Sequence, residues 1–216
     1  MKWKGVLDNF MAFQATHIRF ALALQKKYEV KNLMRYVSGT VYPDSRYISG
    51  INRQLTHRND LLDASNAPDD FLKGWAVHVL CDKVQHDLFM EELSDLIPKE
   101  RGEDWWIRIS AIKLVQDMID FDSFDMEANL DYLNHAENRS CEPIEAVKLY
   151  NTCVQEVYRG KKHDISVHDY EAIWSETDIH SDLIDAVIKD VLFLQQDENI
   201  LSRISSIYEK IVARSL

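Results

Sequence analysis

Residues 71–86 read Phe71-Leu-Lys-Gly-Trp75-Ala-Val-His78-Val-Leu-Cys81-Asp82-Lys-Val-Gln-His86. His78, Asp82 and His86 stand at i, i+4 and i+8. A helix turns only slightly more than one revolution over four residues, so this spacing stacks the three side chains on one face. The flanking Ala76, Val77, Val79, Leu80 and Cys81 are apolar, and a helix that is apolar nearly all round is buried. Buried ionisable groups need partners or a metal. The face drifts by roughly 40° per step, and His78 and His86 are separated by about 12 Å along the axis. Two imidazoles so far apart do not share one ion. The spacing therefore predicts two ions with Asp82 as the ligand between them, the usual apparatus for hydrolysing phosphate esters.

Outward from this run, helical periodicity continues almost throughout. A first helix is expected over 15–28, and the stretch 38–47, with Gly39 and Pro43, reads as a loop or turn. The long helix begins near Pro68-Asp69-Asp70 and ends before Pro98. Further helices are expected over 105–121 and 126–135, from Pro143 to Gly160, and over 182–195 and 198–213; Ser166-Val-His-Asp169 resembles a capping box. The fold expected is all-α, a compact multi-helix bundle. One helical domain covers 1–216, with the metal-site motifs in 15–87 and a helical C-terminal portion over 100–216.

Composition agrees with this. Only 6 glycines and 4 prolines in 216 residues argue against a turn-rich β protein. The net charge of −11 opposes binding to long nucleic acids or anionic lipid surfaces, although a local basic pocket can exist within an acidic shell. The start of the chain does not read as a signal peptide, because Asp8 and Asn9 follow Lys2 and Lys4 directly and the run Phe10–Phe13 is too short. No segment approaches the ~20 apolar residues of a membrane span, so no stable membrane association is expected. Cys81, Cys141 and Cys153 form no CxxC pair, which fits a reducing cytoplasm. Cys81 lies one residue off the stripe and reads as a small buried apolar side chain.

Three more side chains suit a metal. His17 opens an inward stripe continued by Ala21, Leu24 and Tyr28; Asp44 follows Pro43; and His57 follows Thr56. Singly, each has an ordinary alternative: a hydrogen-bonded core histidine, a turn-stabilising aspartate, a solvated loop residue. Their conjunction with the 78/82/86 stripe favours a metal centre. The order Thr16-His17, Gly39-Thr-Val-Tyr-Pro-Asp44, Thr56-His57, His78-xxx-Asp82-xxx-His86 resembles the zinc-dependent phospholipase C/D superfamily. It is nearest to the catalytic domain of the glycosylphosphatidylinositol-specific phospholipases D, and more distantly similar to bacterial phospholipases C and single-strand-specific zinc nucleases.

The resemblance covers about residues 15–87. It implies a helical domain with two or three Zn²⁺, for which His17, Asp44, His57, His78, Asp82 and His86 are candidate ligands, with Asp82 bridging and Asp44 alternatively a general base. Two departures stand out. Those branches use a processed N-terminal tryptophan as a ligand, whereas Trp3 follows Met-Lys. They also supply a further His/acid pair for which Asp117, Asp120 and His135 are the substitutes, although each reads as a solvated helix residue.

Imidazole and carboxylate suit zinc, and similar sets accept iron or manganese. Arg46, two residues after Asp44, is a candidate bidentate contact to phosphate. The expected substrate is a small soluble phosphoester. Two rival readings exist. One is an HD-type metal phosphohydrolase built on His17, His86-Asp87 and Asp117 or Asp120. The other is a non-catalytic helical protein whose partner surface is Gly102–Trp106 or the acidic run Asp117–Asp125. A ferritin-like di-iron bundle is disfavoured, because Glu-xx-His occurs nowhere.

Overall fold

The computed structural model describes residues 13–216, the side chain of Asn59 aside. The expectations placed on Trp3 and on the start of the chain fall outside that range. Among the described residues every regular element is helical: α1 (Gln14–Leu24), α2 (Leu33–Val41), the single turns α3 (Arg46–Ser49) and α4 (Arg53–Thr56), α5 (Asp70–Glu92), α6 (Glu103–Phe121), α7 (Glu127–Leu130), α8 (Ile144–Tyr158), α9 (Glu171–Trp174), α10 (Ser181–Leu194) and α11 (Glu198–Ser215). The main apolar core draws on side chains from Phe13 to Ile211, with Phe20, Leu24, Tyr36, Trp106, Leu114 and Val191 fully buried. No described helix is long and apolar enough to cross a membrane.

The centre of the molecule is the crossing of α2 and α5. Asp69 caps α5 by accepting from Leu72 N at 3.1 Å. Asp70, in the first turn, accepts from the backbone of Lys31 and Asn32, which ties the start of α2 to the start of α5. The two helices then touch backbone to backbone. A Cβ on Gly39 would lie 2.1 Å from the Phe71 carbonyl oxygen, and one on Gly74 would lie 1.9 Å from that of Tyr36. No side chain fits at either position.

This contact corrects the reading of 38–47 as a loop. Gly39 sits inside α2 despite the ~1 kcal/mol that glycine costs a helix, because only glycine allows the approach. Pro43 does not break the chain there; it opens a 3₁₀ turn, Tyr42–Ser45, that runs into α3. Other boundaries shift less. α1 ends at Leu24 rather than Tyr28, α5 stops at Glu92, and the 126–135 helix is one α-turn followed by a 3₁₀ turn, Asp131–Asn134. Gly160, at φ +72°, follows the end of α8, and the Ser166–Asp169 capping box forms.

Candidate metal centre

The α2–α5 crossing sets the first site residue. Close approach carries the Thr40 carbonyl to 2.8 Å from His78 Nδ1. A carbonyl only accepts, so Nδ1 holds the proton and Nε2 of the neutral ring carries a lone pair. The 3₁₀ turn after α2 delivers Asp44 to that nitrogen, with Oδ2 at 3.5 Å. One turn along α5, Asp82 Oδ2 lies 3.9 Å from the same nitrogen.

His57 arrives on the turn that ends α4, which the Trp75 indole holds by donating to the Thr56 carbonyl. Its Nδ1 is 2.9 Å from Thr56 Oγ1, a hydroxyl that donates to the Arg53 carbonyl and so accepts from the ring. His57 Nε2 is then also a lone-pair nitrogen. It faces His78 Nε2 at 3.3 Å, Asp82 Oδ2 at 3.3 Å and Asp44 Oδ1 at 3.8 Å. His17, on the inward face of α1, stacks on His78 with ring centroids 3.9 Å apart, and its Nε2 is 3.7 Å from Asp82 Oδ1. Its Nδ1 is buried without a hydrogen-bond partner among the described residues.

At the centre of the cluster acceptors are thus aimed at acceptors, and donors reach only its edges, Gln14 Nε2 on Asp44 and Lys113 Nζ on Asp82. Lone pairs 3.3 Å apart repel unless a proton or a cation lies between them, and a buried carboxylate left unpaired is costly. Burial pushes His17 and His78 down to about 3, and it also lowers His57, so the rings are neutral and able to ligate. Burial raises Asp44. It opposes ionisation of Asp82 too, but there the Lys113 ammonium wins, and Asp82 is held well below the usual carboxylate range. Two sets, His17–Asp44–His78 and His57–His78–Asp82, each present ligand atoms within 4.8 Å of one another. Side chains of the type, number and separation that suit zinc or a similar divalent ion therefore converge here.

Five of the six sequence-predicted ligands meet. His86 belongs to neither set. The rotational drift along α5 takes the stripe from His78, fully buried, through Asp82 to a half-buried His86, which lines the mouth of a cavity that also touches His57 and Asp82. Arg46 does not line that cavity; it is buried with its guanidinium 4.0 Å from the centre of the Tyr47 ring.

Asp117 and Asp120 are not solvated, as the sequence suggested, but buried, and they bond to other partners. His135 bonds to Glu137 at 2.9 Å. None of the three joins either set. Asp87 pairs with Lys83 at 2.7 Å on the surface, so its position does not favour the HD arrangement. Trp105 and Trp106 are core residues rather than a partner surface, and Cys81 is fully buried.

Sequence reasoning missed three neighbours. Gln14 Nε2 donates to Asp44 Oδ2 at 3.0 Å and to Tyr150 Oη at 2.9 Å. Lys113 Nζ donates to Asp82 Oδ1 at 2.9 Å, and Arg53 lies 3.6 Å from Asp82 Oδ2. For Lys113 a signal existed: it is the single cation in the apolar run Ile109–Val115. No family model, curated protein or solved structure matches this chain. The site is read from its own geometry.

Proposed function

We propose that this chain is a metal-dependent hydrolase of small phosphoesters, with zinc the favoured ion and a helical architecture of the phospholipase C and zinc nuclease type. The observation that carries the reading is the pair of lone-pair nitrogens, His57 Nε2 and His78 Nε2, 3.3 Å apart between two carboxylates. Asp44, His57, His78 and Asp82 would hold one ion, with His17 beside Asp82. Lys113, on Asp82 Oδ1, stands where the sequence calls for a second cation. When bound, such an ion lowers the pKa of water towards ~7 and polarises phosphoryl oxygens.

The chain's own residues do the rest. Thr40 and Thr56 fix the ring tautomers, and Gln14 holds Asp44 by one oxygen. The other Asp44 oxygen faces His57 and is placed to take a proton from water. The HD-type alternative lacks support from the position of Asp87.

Elemental analysis of purified protein, with a phosphatase and phosphodiesterase substrate panel, tests the reading. About one transition-metal ion per chain is expected. Asp82→Ala and His78→Ala should lose both metal and hydrolysis, while Asp87→Ala loses neither. Wild type without stoichiometric metal, or an active Asp82→Ala, overturns it.

A further inference from the structure

The cavity that opens onto the cluster is small, about 250 Å³, below the 300–1,000 Å³ usual for drug-sized ligands. Its charge is the reverse of the chain's. Acidic residues outnumber basic ones 36 to 25 overall, yet the cavity is lined by Arg53, Lys83, Arg101 and Lys113 against the single carboxylate of Asp82. These cations come from separate places in the chain: α4, α5, the loop before α6, and α6 itself. Their convergence is therefore tertiary rather than a run of basic sequence.

They are not equally committed to partners. Lys83 is tied to Asp87, and Lys113 reaches Asp82 from a buried position. Arg101 lies over the Trp105 ring at 5.1 Å, which orients the guanidinium plane and leaves its charge in place. Arg53 approaches Asp82 only to 3.6 Å, and its buried Nε has no hydrogen bond among the described residues. The Arg53 side chain is nevertheless 36 % exposed, so its forked terminal donors are open to an acceptor from solution.

We infer that the site takes the terminal phosphate of a small phosphate monoester, recognised as its dianion by Arg53, Arg101 and Lys113. The inference rests on the hydrolase reading for what then happens to that phosphate. A monoester dianion brings two charges and three non-ester oxygens to a wall of forked donors. A diester brings one charge and two such oxygens, plus a second substituent that a cavity of this size must also admit. A cationic substituent such as choline meets like charge. Long polyanions are repelled by the acidic exterior, whereas a short dianion experiences chiefly the local field. In the hydrolysis a water oxygen forms the new bond to phosphorus, the ester P–O bond breaks, and the proton lost by that water ends on the leaving alcohol.

The test uses inorganic phosphate as probe, titrated calorimetrically into zinc-loaded and metal-free protein. In parallel, hydrolysis is measured for p-nitrophenyl phosphate, bis-p-nitrophenyl phosphate and p-nitrophenylphosphorylcholine, with metal content assayed separately. Phosphate should bind wild type. Arg53→Ala, at a half-buried position, and Arg101→Ala, at an exposed one, should each weaken it at least fivefold with zinc content unchanged. The monoester should exceed the other two esters at least tenfold in kcat/KM. Phosphate binding insensitive to both arginines, or a preference for the diester or the choline ester, overturns the inference. If no metal is retained but phosphate still binds through the two arginines, the anion pocket stands and the hydrolase reading falls.

Discussion

Two buried carboxylate clusters lie on either side of adjacent residues of α1, and they are built on opposite principles. Around Asp117 every acceptor has a donor. Oδ1 takes Thr16 N–H at 2.8 Å, and Oδ2 takes the hydroxyls of Tyr158 at 2.7 Å and Tyr170 at 2.6 Å. Asp120 beside it is held by Thr16 Oγ1 and Arg19, each at 2.7 Å. One residue further on, His17 enters the other cluster, where lone pairs face lone pairs and a ring nitrogen is left over. A saturated cluster ties α1, α6 and α8 together; a cluster whose ring nitrogens and carboxylates face one another, with donors only from Gln14 and Lys113 at its edges, is stable in the company of a cation. Burial and acidity alone do not distinguish architecture from a binding site. The supply of donors does.

The largest expected effects cross over between the two. Asp44→Asn should weaken zinc binding at least 100-fold while changing the stability of metal-free protein by no more than about 1 kcal/mol, because it relieves repulsion among acceptors. Asp117→Asn should do the reverse. It leaves a buried amide against two tyrosine hydroxyls and an N–H, costs roughly 2–4 kcal/mol, and retains zinc. Urea denaturation of metal-free protein and competition with a chromogenic chelator measure the two quantities. If Asp44→Asn proves strongly destabilising and zinc affinity is untouched, the contrast fails.

The clusters should also answer pH with opposite sign. Burial lifts the Asp117 carboxyl to about 6 against the hydrogen bonds of both tyrosines, from an unfolded value near 3.9. The folded protein therefore binds a proton that the unfolded chain releases between those values. That contribution is complete below about pH 4 and lost as pH rises through 6, with an upper bound of about 3 kcal/mol at 1.36 kcal/mol per unit. His17 and His78 run the other way, from about 6.5 unfolded to about 3 folded. Their contribution is present above 6.5 and lost as pH falls towards 3. Stability differences from wild type, followed from pH 4 to 8, should slope in opposite directions for Asp117→Asn and His78→Gln. Parallel slopes would place both clusters in the same electrostatic class.

The sequence made one cluster legible and hid the other. His17, Asp44, His57, His78 and Asp82 stand in order and spacing along one stretch, and α5 converts i, i+4 into a shared face. Asp117 and Asp120 have a spacing equally suited to a solvated helix edge. Asp117 is paired with tyrosines 41 and 53 residues away and Asp120 with Thr16 and Arg19, more than 100 residues back, which no local pattern reveals. The same holds for Gly39. Its helical role depends on the Phe71 carbonyl across the crossing, and local propensity pointed to a loop. Arg53, Arg101 and Lys113 share no motif, because a cavity wall gathers residues by topology rather than by period.

The smallest expected effect marks where the site ends. His86 has the right chemistry and, read along the sequence, the right register, but two steps of about 40° carry it off the face that holds His78. Burial and the nearby Lys113 ammonium lower its pKa, so it is neutral, and neutrality alone would allow it to ligate. Geometry excludes it from both ligand sets. His86→Ala should therefore leave zinc stoichiometry intact and change zinc affinity by no more than about threefold, while altering phosphate affinity by a similarly small factor through the cavity mouth. If wild type instead holds two ions per chain and this variant one, Lys113 does not stand for the second cation. A second ion then sits between Asp82 and His86, as the spacing on α5 first suggested.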